Sequence, residues 1–401
     1  MDQAAASVPD YFSRRTNWPA ESGRVSELLD TYRQSGGEWI DLTASNPTRC
    51  GLDLWDAASL APLAEADNLI YDPDPKGQAK ARKVIADYYA AKGVRVDIDQ
   101  IILTSGTSEA YHLALRLLTH PGQTVLTPAP SYPLIDLLLD LNDIRQDRYQ
   151  LRCDNAVADP SQNGWSFNAA SARLARQSQT PALIAIHANN PTGHTFSPEE
   201  RAALVEFART EKMALIVDEV FLDYSARPNV TFASEEKVLT LTLSGISKIL
   251  GLPQMKLSWI VVSGPSEERQ EALRRLEIMA DIFLSVNTPA QHALGRWMAR
   301  APQIQTQIKE RITVNRGALA KELGGLSKLT VLPCAGAWTA IIQLPDGTDD
   351  ESMAYDLLKD SRVLTHPGYL FDFASGSHLV LSLLPTADIF LEGIRRIAAA
   401  V

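Results

Sequence analysis

Cysteine is scarce in this chain of 401 residues: Cys50, Cys153 and Cys334 stand far apart, odd in number and without CxxC spacing. That pattern argues against both a disulfide framework and a zinc site, and it suits a reducing cytoplasm. Long apolar runs are missing too, since none approaches the ~18–20 residues of a membrane span, so no membrane partner is expected. No block of Lys or Arg interrupts a formal net charge of -10. A field of that sign repels phosphate backbones and anionic lipid, which argues against nucleic acid as a partner. The opening residues, MDQAAASVPDYF, lack the basic start and apolar stretch of a secretory signal. A soluble cytoplasmic protein is the expectation. Internal repeats and low-complexity segments are absent as well.

What is present is an ordinary globular composition, 45% apolar and 21% charged. The chain exceeds the ~250–300 residues over which one core usually grows, so two lobes are expected. Between about Gly106 and Val262, short apolar runs at 124–126, 183–186, 214–217, 238–243 and 259–262 alternate with helical patterns such as 109–118 and 198–211. That rhythm predicts an α/β core, a parallel sheet covered on both faces. Ser197 before Pro198, Glu199 and Glu200 reads as a helix N-cap. After about Arg300 a long helical stretch leads to strand candidates at 330–332, 338–344, 363–365 and 379–383, the pattern of a smaller α+β lobe. Residues 1–45 have no core of their own and are expected to pack as an arm on the second lobe or on a partner subunit.

Open parallel sheets bind ligands outside the carboxyl ends of their strands, so polar residues just after apolar runs carry the chemistry. Four such places occur. Ser105-Gly106-Thr107-Ser108 opens a helix with small residues whose free N–H groups suit a phosphate. Asn190-Pro191-Thr192-Gly193 is a tight turn that presents an amide. Asp218 ends a strand too apolar for a surface, where an ionised carboxylate demands a cationic partner. Ser247-Lys248 follows another such strand, and burial lowers a lysine pKa and makes the amine nucleophilic enough for a Schiff base. Each feature alone is more often structural than functional. Their joint occurrence, in this order and at the spacing of successive strands, changes the odds.

Together with Tyr71-Asp72-Pro73-Asp74-Pro75-Lys76-Gly77 and Pro130-Ser131-Tyr132, these segments resemble the class I/II aminotransferases, pyridoxal 5'-phosphate (PLP) enzymes of fold type I, over roughly 45–382. The resemblance implies a mostly parallel seven-stranded sheet with flanking helices plus a smaller α+β domain. Residues 1–55 would form an N-terminal arm and part of the small domain, 56–300 the large cofactor-binding domain, and 301–401 the C-terminal small domain. It also implies a ping-pong transfer of an amino group from an amino acid to a 2-oxo acid. In that scheme Lys248 holds PLP as an aldimine and shuttles the proton. Asp218 keeps the pyridine nitrogen protonated, Asn190 bonds the ring 3-oxygen and Tyr132 lies against the ring. Gly106, Thr107, Ser108 and Ser247 hold the phosphate. Tyr71 matches a tyrosine that reaches a neighbour's phosphate, which implies a homodimer with shared sites.

Three positions depart from the family pattern. Lys256 stands where an arginine usually meets the phosphate, keeping the charge without the bidentate fork. Phe221 replaces a tyrosine that bonds the 3-oxygen, a donor that Tyr224 or a water would have to supply. Val380 stands where the arginine for the substrate carboxylate is expected, and Asn46, Arg49 and His366 are the candidates for that task. The loss of the arginine keeps open a second reading, a lyase or decarboxylase on the same fold. A cofactor-binding regulatory domain without turnover is the third, disfavoured because Lys248, Asp218 and Asn190 are all present and no basic helix-turn-helix is appended.

Overall fold

A computed structural model describes residues 11–18, 23–154 and 163–400, apart from 178, 226, 229 and 327. The first ten residues of the expected arm, and 19–22, lie outside the described residues. Seven strands build the central sheet: β1 (Ile101–Thr104), β2 (Thr124–Ala129), β3 (Arg145–Gln150), β4 (Ala182–Ile186), β5 (Ala214–Asp218), β6 (Thr240–Gly245) and β7 (Ser258–Ser263). Their spatial order is β1-β7-β6-β5-β4-β2-β3. β7 runs antiparallel to both β1 and β6, and every other neighbouring pair is parallel. The sheet is α/β and mostly parallel, as the alternation of runs predicts.

Strand β4 explains why two helical layers are needed. Ala182, Ile184 and Ile186 fall in one apolar cluster, with Leu113 and Ala114 of the helix Thr107–Leu118. Leu183 and Ala185 fall in another, with Leu204, Val205 and Phe207 of the helix Pro198–Thr210. Residues that alternate along a strand face opposite sides, so a strand buried on both faces reads as a continuous apolar run. Ser197 caps the second helix by accepting from the Glu200 amide, and Glu200 returns the bond in a capping box. Strand β3 has no such signature, because it lies at the sheet edge and carries Arg145, Asp147 and Arg148.

A second sheet of four strands follows the helix Ala301–Leu323: β8 (Thr330–Val331), β9 (Thr339–Gln343), β10 (His366–Pro367) and β11 (His378–Ser382), in the order β8-β9-β11-β10. Ile341 and Val380 join the cluster that includes β4 and β5 of the large sheet. Ala340, Ile342, Leu379 and Leu381, on the other face, join a cluster with Ile304, Ile308 and Phe390 of the small lobe's helices that extends to Ile101 and Trp259 of the large sheet. Within the expected arm, the two-residue strand Ile40–Asp41 pairs with Val363–Leu364 and the helix Arg24–Ser35 packs on Asp350–Ser361. Nearer the start, Arg15 bonds Asp143 and Trp18 donates to Asp140, on the large sheet's side. The sequence reading had not divided the arm in this way. Among the described residues no helix is long and apolar enough to cross a membrane.

Candidate active site

The carboxyl ends of β1, β2, β4, β5 and β6 meet at one edge of the sheet. There the chain leaves β1 through Ser105 and Gly106, β2 through Ser131 and Tyr132, β4 through Asn190, and β6 through Lys248. Asp218 is the last residue of β5. Thr107, Ser108, Tyr132, Asn190, Asp218 and Lys248 line one cavity of about 200 Å³ at this edge, closed on the far side by Thr339, His366 and Val380 of the small sheet.

Asp218 lies half-buried in the cavity wall, and desolvation raises its carboxyl from the ordinary 3.8 to about 6. Two donors and a charge work against that rise: the Val220 amide at 3.0 Å, the Tyr111 hydroxyl at 3.0 Å, and the positive charge of Lys248. Desolvation also lowers the Lys248 pKa, with Asp218 opposing it. The amine lies 4.9 Å from the Trp338 ring centroid and 5.3 Å from that of Phe221, an apolar slot that favours its neutral, nucleophilic form. A lysine and a carboxylate whose pKa values burial moves towards each other are a common mark of a functional site.

Two features of the cavity fit a phosphorylated pyridine ring. Gly106 caps the helix Thr107–Leu118, whose N-terminal amides and positive dipole end favour an anion. A Cβ added at Gly106 would lie 3.1 Å from Lys256 Nζ, so the glycine lets this cation come close to the helix start. Asn190 lines the cavity with no protein partner for its Oδ1 among the described residues, so its side-chain amide is uncommitted on that side.

A model of the family described as aminotransferase class I and II matches residues 38–388. The chain belongs to that family. Glutamate-pyruvate aminotransferase AlaA of Haemophilus influenzae is 26% identical over 391 residues, covering 94% of each chain. Alanine aminotransferase of Mycobacterium bovis is 27% identical over 391 residues, covering 94% of this chain and 88% of its own. An Escherichia coli aminotransferase structure shares the fold at a TM-score of 0.83 and 24% identity, covering 98% of both chains. This aminotransferase is thus a transferase of the α/β fold its sequence resembles, working on an amino acid and a 2-oxo acid in a PLP-dependent family. The relationships favour amino transfer over the lyase or decarboxylase reading.

The remaining sequence candidates fall in different places. Ser247 sits beside Lys248 in the short helix Ile246–Ile249. Tyr71 is exposed and does not line the cavity. Asn46 closes a turn by accepting from the Thr48 amide and hydroxyl, Arg49 is exposed, and neither lines the cavity, whereas His366 does. The Tyr224 hydroxyl donates to the Lys248 carbonyl at 2.8 Å, so it is committed to the backbone rather than offered to the ring's 3-oxygen. Among the cavity residues that escaped the sequence reading, two meet Asp218 or Lys248 directly. Tyr111 lies one turn after Thr107 on the same helix face, a spacing that could have flagged it. Trp338 carries no local signal, since it precedes an ordinary apolar strand.

Proposed function

We propose that Asp218, Asn190, Tyr132, Gly106, Thr107, Ser108, Ser247 and Lys256 hold pyridoxal 5'-phosphate, with Lys248 as its covalent attachment point. The observation that carries this reading is Asp218 in the cavity wall with its two donors, a carboxylate that gains by facing a protonated ring nitrogen. When bound, the cofactor supplies an electron sink for the carbanion at the substrate α-carbon. Asp218 contributes the negative charge that keeps the ring nitrogen protonated. Lys248, with a lowered pKa, removes the proton from the substrate α-carbon and returns a proton on the cofactor side. Asn190 donates its amide to the ring oxygen and Tyr132 covers the ring face. Thr107, Ser108, Ser247 and Lys256 offset the phosphate charge.

We assign L-alanine and L-glutamate with their 2-oxo acids as the first substrates to try, because the relatives carry those activities in their names. The apolar lining of Leu134, Ile135, Leu138 and Phe371 suits a small apolar side chain. A cytoplasmic homodimer with shared sites accompanies this reading. It is supported by the exposed Leu69, Ile70 and Tyr71, by the exposed Ile282, Phe283 and Leu284, and by three cysteines that form no disulfide. The three-part division at 55/56 and 300/301 belongs to the same proposal. The test mixes PLP-loaded enzyme with L-alanine and 2-oxoglutarate and follows pyruvate and glutamate. Equal amounts of both products support the reading, and ammonia or carbon dioxide in their place overturns it. Light scattering on the same sample checks the dimer.

A further inference from the structure

We propose that His366 holds the α-carboxylate of the substrate, from the strand next to the one where that group is expected. Both substrates of this reaction carry a carboxylate beside the reacting carbon, so the cavity must receive an anion close to Lys248. Among the described lining residues, Lys248 and His366 are the two that can carry positive charge. Lys248 is engaged at the reacting atoms, and Lys256 Nζ lies beside Gly106 on the phosphate side. Val380, where the sequence leads one to expect a guanidinium, is 1% exposed and packs in an apolar cluster.

The sheet register supplies the replacement. His366 of β10 pairs directly with Val380 of β11 in an antiparallel ladder. Residues opposite each other in such a ladder project from the same face with Cβ atoms ~4.5–5.5 Å apart. The imidazole therefore projects from the same face as Val380, and both line the cavity. No protein group hydrogen-bonds that ring among the described residues. It meets the Phe371 ring edge-on at 6.0 Å, and burial lowers its pKa by more than the charge of Asp41 raises it, so the ring meets a ligand as a neutral N–H donor. The Asp41 carboxylate is itself occupied by the Thr43 amide and hydroxyl. A ring in a half-buried wall, with an N–H to donate and no partner, is suited to accept an incoming carboxylate.

This inference rests on Lys248 being the reacting lysine, and its test separates the two. His366→Ala should raise KM for L-alanine roughly 10- to 100-fold, the worth of a charge-assisted hydrogen bond, while kcat changes severalfold at most. His366→Gln keeps an N–H donor and should recover part of the loss. In the wild-type holoenzyme, the imidazole NMR signal that His366→Gln removes should move on adding propanoate and stay fixed on adding uncharged propanamide. An unchanged KM in His366→Ala, or a signal indifferent to propanoate, overturns the proposal. Wild-type enzyme that leaves L-alanine unreacted while its His366 signal answers propanoate would sink the proposed donor and leave His366 in its role.

Discussion

The two walls of the cavity are built on opposite principles. On the large-sheet side the charged pair is fixed by its neighbours: Asp218 accepts from Val220 and Tyr111, and the Lys248 carbonyl accepts from the Tyr224 hydroxyl. On the small-sheet side Thr339 and Ser382 are committed to backbone partners, Val380 and Leu381 are apolar, and the His366 ring is without a hydrogen-bond partner among the described residues. The first wall fixes its carboxylate before any ligand arrives, which suits chemistry that must be held in one geometry. The second leaves its imidazole uncommitted, which suits a group that arrives with the substrate. The difference teaches that the two walls divide the work by which titratable side chain is already held.

The largest way to break this contrast is Lys248→Ala, which should lower amino transfer by roughly 100- to 10,000-fold or more and abolish covalent retention of the cofactor, read by mass spectrometry. Next comes Asp218. Its folded pKa of about 6 lies above the ordinary 3.8, so this group by itself makes the unliganded fold less stable as pH rises between those values. The ionised form that a protonated ring requires is present above about 6 and lost below it. The melting temperature gained on adding PLP should therefore grow as pH rises through that value. Asp218→Asn should flatten the dependence and weaken cofactor binding roughly 100-fold or more, the penalty for removing one member of a buried ion pair.

Tyr111→Phe is milder. It removes a donor that lowers the Asp218 pKa, so the midpoint of that pH dependence should move upward by about one unit at most. On the same wall, at the start of the helix after β2, Leu134→Ala opens the cavity without hollowing the core, since Leu134 is 37% exposed. Competition between small and large apolar donors should shift towards the larger ones by about tenfold or less. The smallest effect belongs to a site outside both walls: Ser197→Ala should cost about 1 kcal/mol in urea unfolding through the lost cap, with kcat/KM unchanged.

How much of this was legible in the sequence depends on how local the cause is. Ser105, Gly106, Asn190, Asp218 and Lys248 announce themselves because small residues, turn formers and a charge directly follow apolar runs, and a strand end is a local event. Strand bounds differ by one to three residues at either end, as at Thr240–Gly245 against an expected 238–243, because apolar character does not mark where hydrogen bonding stops. The edge strand Arg145–Gln150 was missed, since one unpaired side lets it carry charge. The antiparallel direction of β7 is likewise absent from its own residues, which read as any buried strand.

By itself the sequence determined the family, the α/β rhythm, and the residue types at the strand ends that border the cavity, because side-chain chemistry sets periodicity, turn geometry and which groups tolerate burial. Only the tertiary structure decided that Tyr111 donates to Asp218, that Trp338 covers Lys248, that Arg49 stays out of the cavity, and that His366 stands opposite Val380. Cross-strand register and the meeting of two sheets depend on which apolar faces are buried together, a property of the whole packed core that no single segment carries.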